Sequence, residues 1–292
     1  MHLTPKAFTD QPSRPTLTLP EGAWDAHCHV FGPAARFPFA ENRSFTPADA
    51  PKEALFAMHR TIGVTNSVIV QSGCHGADTA AVEDALAAPD GTARKAIALL
   101  PPDADDARIE RLAGRGFCGV RFNYMKHLGV GAPIEDVVAF THRLADFGWH
   151  LQIHCAADYL VDFAPILKQS AVPVVIDHLG RVDAALGIDQ PAFRVLLALM
   201  EDERFWAKVS GCERVSRLGP PYADAAPFAR TLVALFPSRT LWGTDWPHPH
   251  MDHAIPDDGV LADLLSAIAP SEGERKHLLV DNPTRLYGAP AH

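Results

Sequence analysis

The sequence predicts an α/β fold, a closed (β/α)8 (TIM) barrel. Eight short β-rich runs recur along the chain, and a stretch that fits a helix follows each one. The runs are nearly continuously apolar rather than alternating, as in parallel strands buried on both faces. The length of 292 residues suits a barrel of roughly 250 residues with extensions. An open doubly wound sheet is the alternative, but it calls for a Gly-rich phosphate loop after the first strand. His27-Cys28-His29 stands there instead.

Residues 1–22 are proline-rich and read as an extended arm, and residues 23–292 read as one barrel domain. The first strand covers 23–30. Segment 31–49 carries Pro33, Pro38 and Pro47 among aromatics; it is too long for a plain connection and reads as a pocket-lining loop. A helix over 51–62 stops at Gly63. Strands then follow at 67–71, 95–100, 119–123, 150–154, 172–177, 205–210 and 240–245. Helices alternate with them at 77–88, 105–115, 135–147, 158–169, 191–201 and 222–236, and two more at 259–268 and 272–280 close the chain.

Composition narrows the function. Hydrophobic residues make up 47% and charged residues 21%, enough for a real core. The net charge of -9 argues against a nucleic-acid partner, but local arginines could still serve an anionic substrate. The N-terminus lacks the apolar core of a signal peptide, and no apolar run approaches the roughly 18 residues of a membrane helix. Five cysteines without a C-x-x-C pair read as reduced thiols of a cytoplasmic protein.

Catalytic groups of such barrels sit at the C-terminal strand ends. The first strand ends in His27 and His29, which share a face because i and i+2 do in a strand. The second leads to Ser72 and His75. The fourth carries Arg121, with Lys126 and His127 soon after, and the fifth ends in His154. The sixth ends in Asp177, His178 and then Arg181. Arg214 and Arg217 follow the seventh, and Asp245 ends the eighth, ahead of His248. His27, His29, His154, His178 and Asp245 together suit a divalent metal such as zinc with an open position for water. Without metal the same set could polarise a carbonyl and shuttle a proton. Asp245 is the candidate general base. Arg121, Arg181, Arg214, Arg217 and Lys126 suggest a small substrate with two or more anionic groups, since arginine pairs carboxylates bidentately.

His27-Cys28-His29-Val30-Phe31-Gly32-Pro33, Cys74-His75-Gly76, Arg121-Phe122-Asn123, Ile176-Asp177-His178-Leu179-Gly180-Arg181 and Trp242-Gly243-Thr244-Asp245-Trp246-Pro247-His248 resemble the amidohydrolase superfamily. More narrowly, they resemble its 2-pyrone-4,6-dicarboxylate lactonase branch, from Gly22 to Tyr287. The resemblance implies hydrolysis of a lactone carrying carboxylates, in aromatic catabolism. It implies Asp245 as base with His178 and His75 among the groups near the carbonyl, and Arg121, Arg181 and Arg214 as anion contacts; Lys126, His127 and His248 complete the expected substrate contacts. Where that lactonase has a tyrosine on the fifth strand this chain has His154, which points to zinc. Where it has an arginine, a tyrosine and a serine, this chain has His127, Phe45 and Gly73. Those changes make a related polyanionic lactone such as 4-sulfomuconolactone, opened with zinc, the alternative substrate. A metal-dependent decarboxylase on the same scaffold and a non-catalytic anion binder are the competing readings.

Overall fold

The computed structural model describes residues 5–128, 131–251 and 254–288. Eight parallel strands run in sequence order: β1 (Trp24–Cys28), β2 (Asn66–Val70), β3 (Arg94–Ala98), β4 (Phe117–Tyr124), β5 (His150–Cys155), β6 (Val174–Ile176), β7 (Phe205–Lys208) and β8 (Thr240–Leu241). Backbone bonds bridge the seam between β8 and β1. Ala26 N–H donates to the Trp242 carbonyl at 2.8 Å, and Asp245 N–H donates to the His27 carbonyl at 2.7 Å.

The helices around the barrel are α1 (Lys52–Ile62), α2 (Ala80–Leu86), α3 (Asp106–Ala113), α4 (Ile134–Asp146), α5 (Ala157–Leu167), α6 (Pro191–Met200), the short α7 (Cys212–Val215) and α8 (Ala226–Leu235). Their buried positions follow helical spacing, as with Leu55, Met58, His59 and Ile62 on α1. Helix α1 ends at Gly63 in the left-handed conformation, φ 83°. The main core lies between helices and strands. A smaller core fills the barrel interior with Trp24, Val68, Ile97, Val175, Trp206 and Leu241.

Four expectations need correcting. Strands β6 and β8 are shorter than 172–177 and 240–245, because the chain leaves the ladder to present Asp177 and Asp245. The expected helix over 222–236 begins only at Ala226, after Tyr222 at φ 61°, with a proline in its first turn. The expected helix over 259–268 is two pieces, α9 (Asp258–Asp263) and α10 (Leu265–Ile268). Beyond α11 (Glu272–Lys276) the chain makes a π-turn, His277–Asp281, and a further helix, α12 (Asn282–Tyr287), which the sequence reading missed. Tyr287 of α12 joins the interior core. The N-terminal arm is hung on α9: Ser13 N–H and Oγ–H donate to Asp257, while Thr16 Oγ–H and Leu17 N–H donate to Asp263.

Candidate active site

At the C-terminal strand ends lies a cavity of about 460 Å³. Its wall includes the buried His29, Arg121, His154, His178 and Asp245. Arg181, Arg214, Phe45, His127, Leu128, His250 and Met251 also border it. His178, Arg181 and Asp245 have φ of 50°, 54° and 61°. Non-glycine residues rarely adopt this region, and such strain collects at functional sites. Two glycines make room for the arrangement. A Cβ on Gly211 would stand 2.7 Å from His178 Cβ, and one on Gly243 would stand 2.5 Å from the His27 nitrogen.

Asp245 is the hub. Its Oδ1 lies 3.1 Å from His29 Nε2 and 3.6 Å from His27 Nε2. Its Oδ2 accepts from Arg214 Nε–H and lies 3.8 Å from His178 Nε2. Burial alone would raise this carboxyl, but the Arg214 guanidinium beside it holds it well below the ordinary value. It is therefore ionised at neutral pH. Burial drives His178 and His154 well below 6.5. His27 falls to about 3 through burial and the nearby Lys208. His27, His154 and His178 are thus neutral rings, able to donate from one nitrogen and accept at the other.

A second buried carboxylate, Asp177, faces the barrel interior. Arg121 Nε–H donates to it at 2.8 Å and Gln152 Nε2–H at 3.0 Å; His27 Nδ1 lies 3.3 Å away and Lys208 Nζ 3.6 Å. Lys208 Nζ also donates to Gln152 Oε1 at 2.8 Å, and burial lowers its ammonium to about 8. A third carboxylate, Asp25, accepts from Thr244 Oγ–H at 2.6 Å and meets His59 Nε2 at 3.0 Å, tying β1 to the post-β8 segment and α1.

A metal would find donors here. His29 Nδ1–H donates to the Val70 carbonyl at 2.7 Å. Its Nε2 then turns a lone pair toward Asp245 Oδ1, two acceptors face to face unless a proton or cation lies between. His27 Nε2 is buried with no hydrogen-bond partner among the described residues. His27, His29 and Asp245 offer ligand atoms within 4.8 Å of one another, and so do His27, Asp177 and His178. Two imidazoles and a carboxylate are a donor set that fits zinc with positions left open.

The expected set converges only in part. His154 borders the cavity but is in neither ligand group; its Nδ1 is engaged by Asn123 Oδ1 at 3.1 Å. His75 is off the cavity wall: Gly32 N–H donates to its Nε2 at 3.1 Å, and its Nδ1 meets the Pro38 carbonyl at 3.2 Å. Both nitrogens brace the long loop after β1, so the catalytic expectation for His75 is corrected. His248 is buried against Asp258 at 3.1 Å and is not among the residues of the cavity wall; it anchors the post-β8 loop. Lys126 is exposed and pairs with Asp158 at 3.3 Å, and Arg217 pairs with Asp183. Arg121, His127, Arg181 and Arg214 do border the cavity. Cys28 and Cys155 are buried with thiols pushed up by burial, Cys155 to about 12, which removes nucleophilic character. Lys208, Gln152 and Asp25 were missed, although a lysine in the run Phe205-Trp206-Ala207-Lys208-Val209 was a visible signal.

A model of the amidohydrolase family matches residues 24–289. The chain is 43% identical to a 2-pyrone-4,6-dicarboxylate hydrolase of Comamonas testosteroni, over 94% of this chain and 93% of that one. It is 39% identical to a 4-sulfomuconolactone hydrolase of Hydrogenophaga intermedia, over 93% and 90% of the two chains. The fold also resembles that of a "probable 2-pyrone-4,6-dicarboxylic acid hydrolase" of Acinetobacter baumannii, solved with citric acid bound. The TM-score is 0.80 at 27% identity, covering 91% of this chain and 99% of that one.

Proposed function

The chain belongs to the amidohydrolase family, and on that premise we propose that it is a lactonase, adding water to the carbonyl of a small anionic lactone and opening the ring. The observation that carries this reading is the ionised Asp245 on the cavity wall, next to a guanidinium, Arg181, that has no hydrogen bond or ion pair among the described residues. Relatives named for a pyrone dicarboxylate and a sulfomuconolactone support the lactone class.

In this reading Asp245 takes a proton from water as the water oxygen bonds to the ring carbonyl carbon. His178 lies close to Asp245, with its Nδ1 3.1 Å from Ser210 Oγ. That leaves Nε2–H to stabilise the developing oxyanion. The ring C–O bond then breaks, and the proton passes from Asp245 to the leaving oxygen. A base works best with a pKa near the operating pH, whereas Arg214 holds Asp245 far below it. Transfer of the Arg214 guanidinium from Asp245 to the substrate anion raises the proton affinity of Asp245 when substrate is present. Zinc held by His27, His29 and Asp245 would supply Lewis acidity toward the carbonyl and the water.

Turnover in ¹⁸O-water tests the reaction. The product should gain one labelled oxygen and no carbon dioxide should be released; carbon dioxide would mean a carbon–carbon lyase. Protein purified without chelator should carry about one zinc per chain, and full activity in metal-free protein would refute the zinc reading.

A further inference from the structure

Lys208, on β7, is fully buried and takes no part in the chemistry above. An ammonium carries three donors and no acceptor. Its Nζ donates to Gln152 Oε1 at 2.8 Å and lies 3.2 Å from His27 Nδ1 and 3.6 Å from Asp177 Oδ1. The Gln152 amide is held in this orientation, because its Nε2–H donates to Asp177 Oδ2, which also accepts from Arg121 Nε–H. After Gln152, the nearest of these acceptors for Lys208 is the lone pair of His27 Nδ1.

Two groups compete for that nitrogen. Asp177 Oδ1 could accept a proton from it, and Lys208 could donate one to it. The distances, 3.3 and 3.2 Å, do not separate them, but the alignment does. Lys208 and His27 Nδ1 form a hydrogen bond, while no hydrogen bond reaches Asp177 Oδ1 among the described residues. Burial and Lys208 keep the ring neutral, so it carries one proton. An accepting Nδ1 places that proton on Nε2.

His27 is then the reverse of His29. His29 gives its Nδ1–H to the Val70 carbonyl and turns a lone pair toward Asp245. A ligating histidine ordinarily has this arrangement, its far N–H held by a carbonyl or a carboxylate. His27 meets a donor on that side, and its Nε2–H faces Asp245 Oδ1 at 3.6 Å. Zinc on His27 Nε2 requires the other tautomer, with the proton on Nδ1, and that tautomer breaks the Lys208 hydrogen bond.

We propose that Lys208 is a positioning residue that holds His27 as its Nε2–H tautomer and thereby weakens zinc binding by His27, His29 and Asp245. This goes beyond the lactonase reading, and both tests are read without turnover. In ¹⁵N spectra of the metal-free protein, with the His27 ring assigned by its loss in His27→Asn, Nε2 should carry the proton and Nδ1 should be bare. In Lys208→Met the proton should move to Nδ1, toward Asp177 Oδ1, the nearer carboxylate oxygen. Zinc should then bind about tenfold or more tighter, the worth of one charge-assisted hydrogen bond, measured by competition with a chromogenic chelator. A proton on Nδ1 of the parent, a proton that stays on Nε2 in Lys208→Met, or a folded Lys208→Met that binds zinc no tighter overturns the proposal and leaves the lactonase reading standing. Zinc bound by neither protein overturns it together with the zinc reading. If Lys208→Met does not fold, the parental spectrum decides.

Discussion

The two ends of the barrel both gather cations beside a cavity, and they use them differently. At the N-terminal end, Arg239 and Arg285 border a cavity with His150 and Trp206. Arg239 donates to the carbonyls of Asp202 and Phe205 at 2.9 and 2.8 Å, and Arg285 donates to the Ser238 carbonyl. The Arg285 guanidinium also lies 4.6 Å from the Trp206 ring centre. These cations hold the chain's own backbone and join α12 to β7 and the turn before β8. At the C-terminal end, Arg214 holds a carboxylate that faces the cavity, and Arg181 has no hydrogen bond or ion pair among the described residues. A cluster of charge marks a site only where its donors are still open to a ligand.

Substitutions at the two ends should therefore separate activity from stability. Arg181→Met should lower kcat/KM by about 10–100-fold, mostly through KM, the loss of one charge-assisted anion contact. Its unfolding midpoint should hold or rise, since an uncompensated charge is removed. A loss of stability with unchanged KM would place Arg181 among the structural cations.

His150 yields a pH effect. Burial lowers its ring to about 3, against about 6.5 when unfolded. The unfolded chain thus takes up its proton first, and stability falls as pH drops from about 6.5 toward 3. Urea titrations at a series of pH values should show that decline, and His150→Gln should flatten it; an unchanged slope would mean that other groups carry the acid sensitivity. The smallest effect belongs to Arg285→Ala. It should cost about 0.5–1 kcal/mol of stability through the exposed cation–π contact and leave kcat/KM unchanged; altered kcat/KM would break the division between the two ends.

Much of this was legible because barrel physics is repetitive. Eight apolar runs such as Ser67–Val70 and Val172–Ile176 could be counted without knowing any contact. His27, His29, Arg121, Asp177, His178 and Asp245 were findable because ionisable groups seldom end a buried strand. His75 and His248 misled for the same reason: an imidazole bonded to backbone or to Asp258 reads the same in sequence as one facing a cavity. Lys126 misled because nearness to a strand end says nothing of its direction, which Asp158 sets. Lys208 was passed over because its partners Gln152 and Asp177 lie on other strands. The late helix α12 was hidden by the π-turn before it.

The central claim is that Asp245 drives lactone opening at the mouth of the barrel. Asp245→Asn keeps the shape but removes the proton acceptor. Its steady-state rate of ring opening should fall by about 10²–10⁴-fold, with circular dichroism and the unfolding transition like those of the parent. Ring opening at close to the parental rate by a folded Asp245→Asn protein would contradict the account.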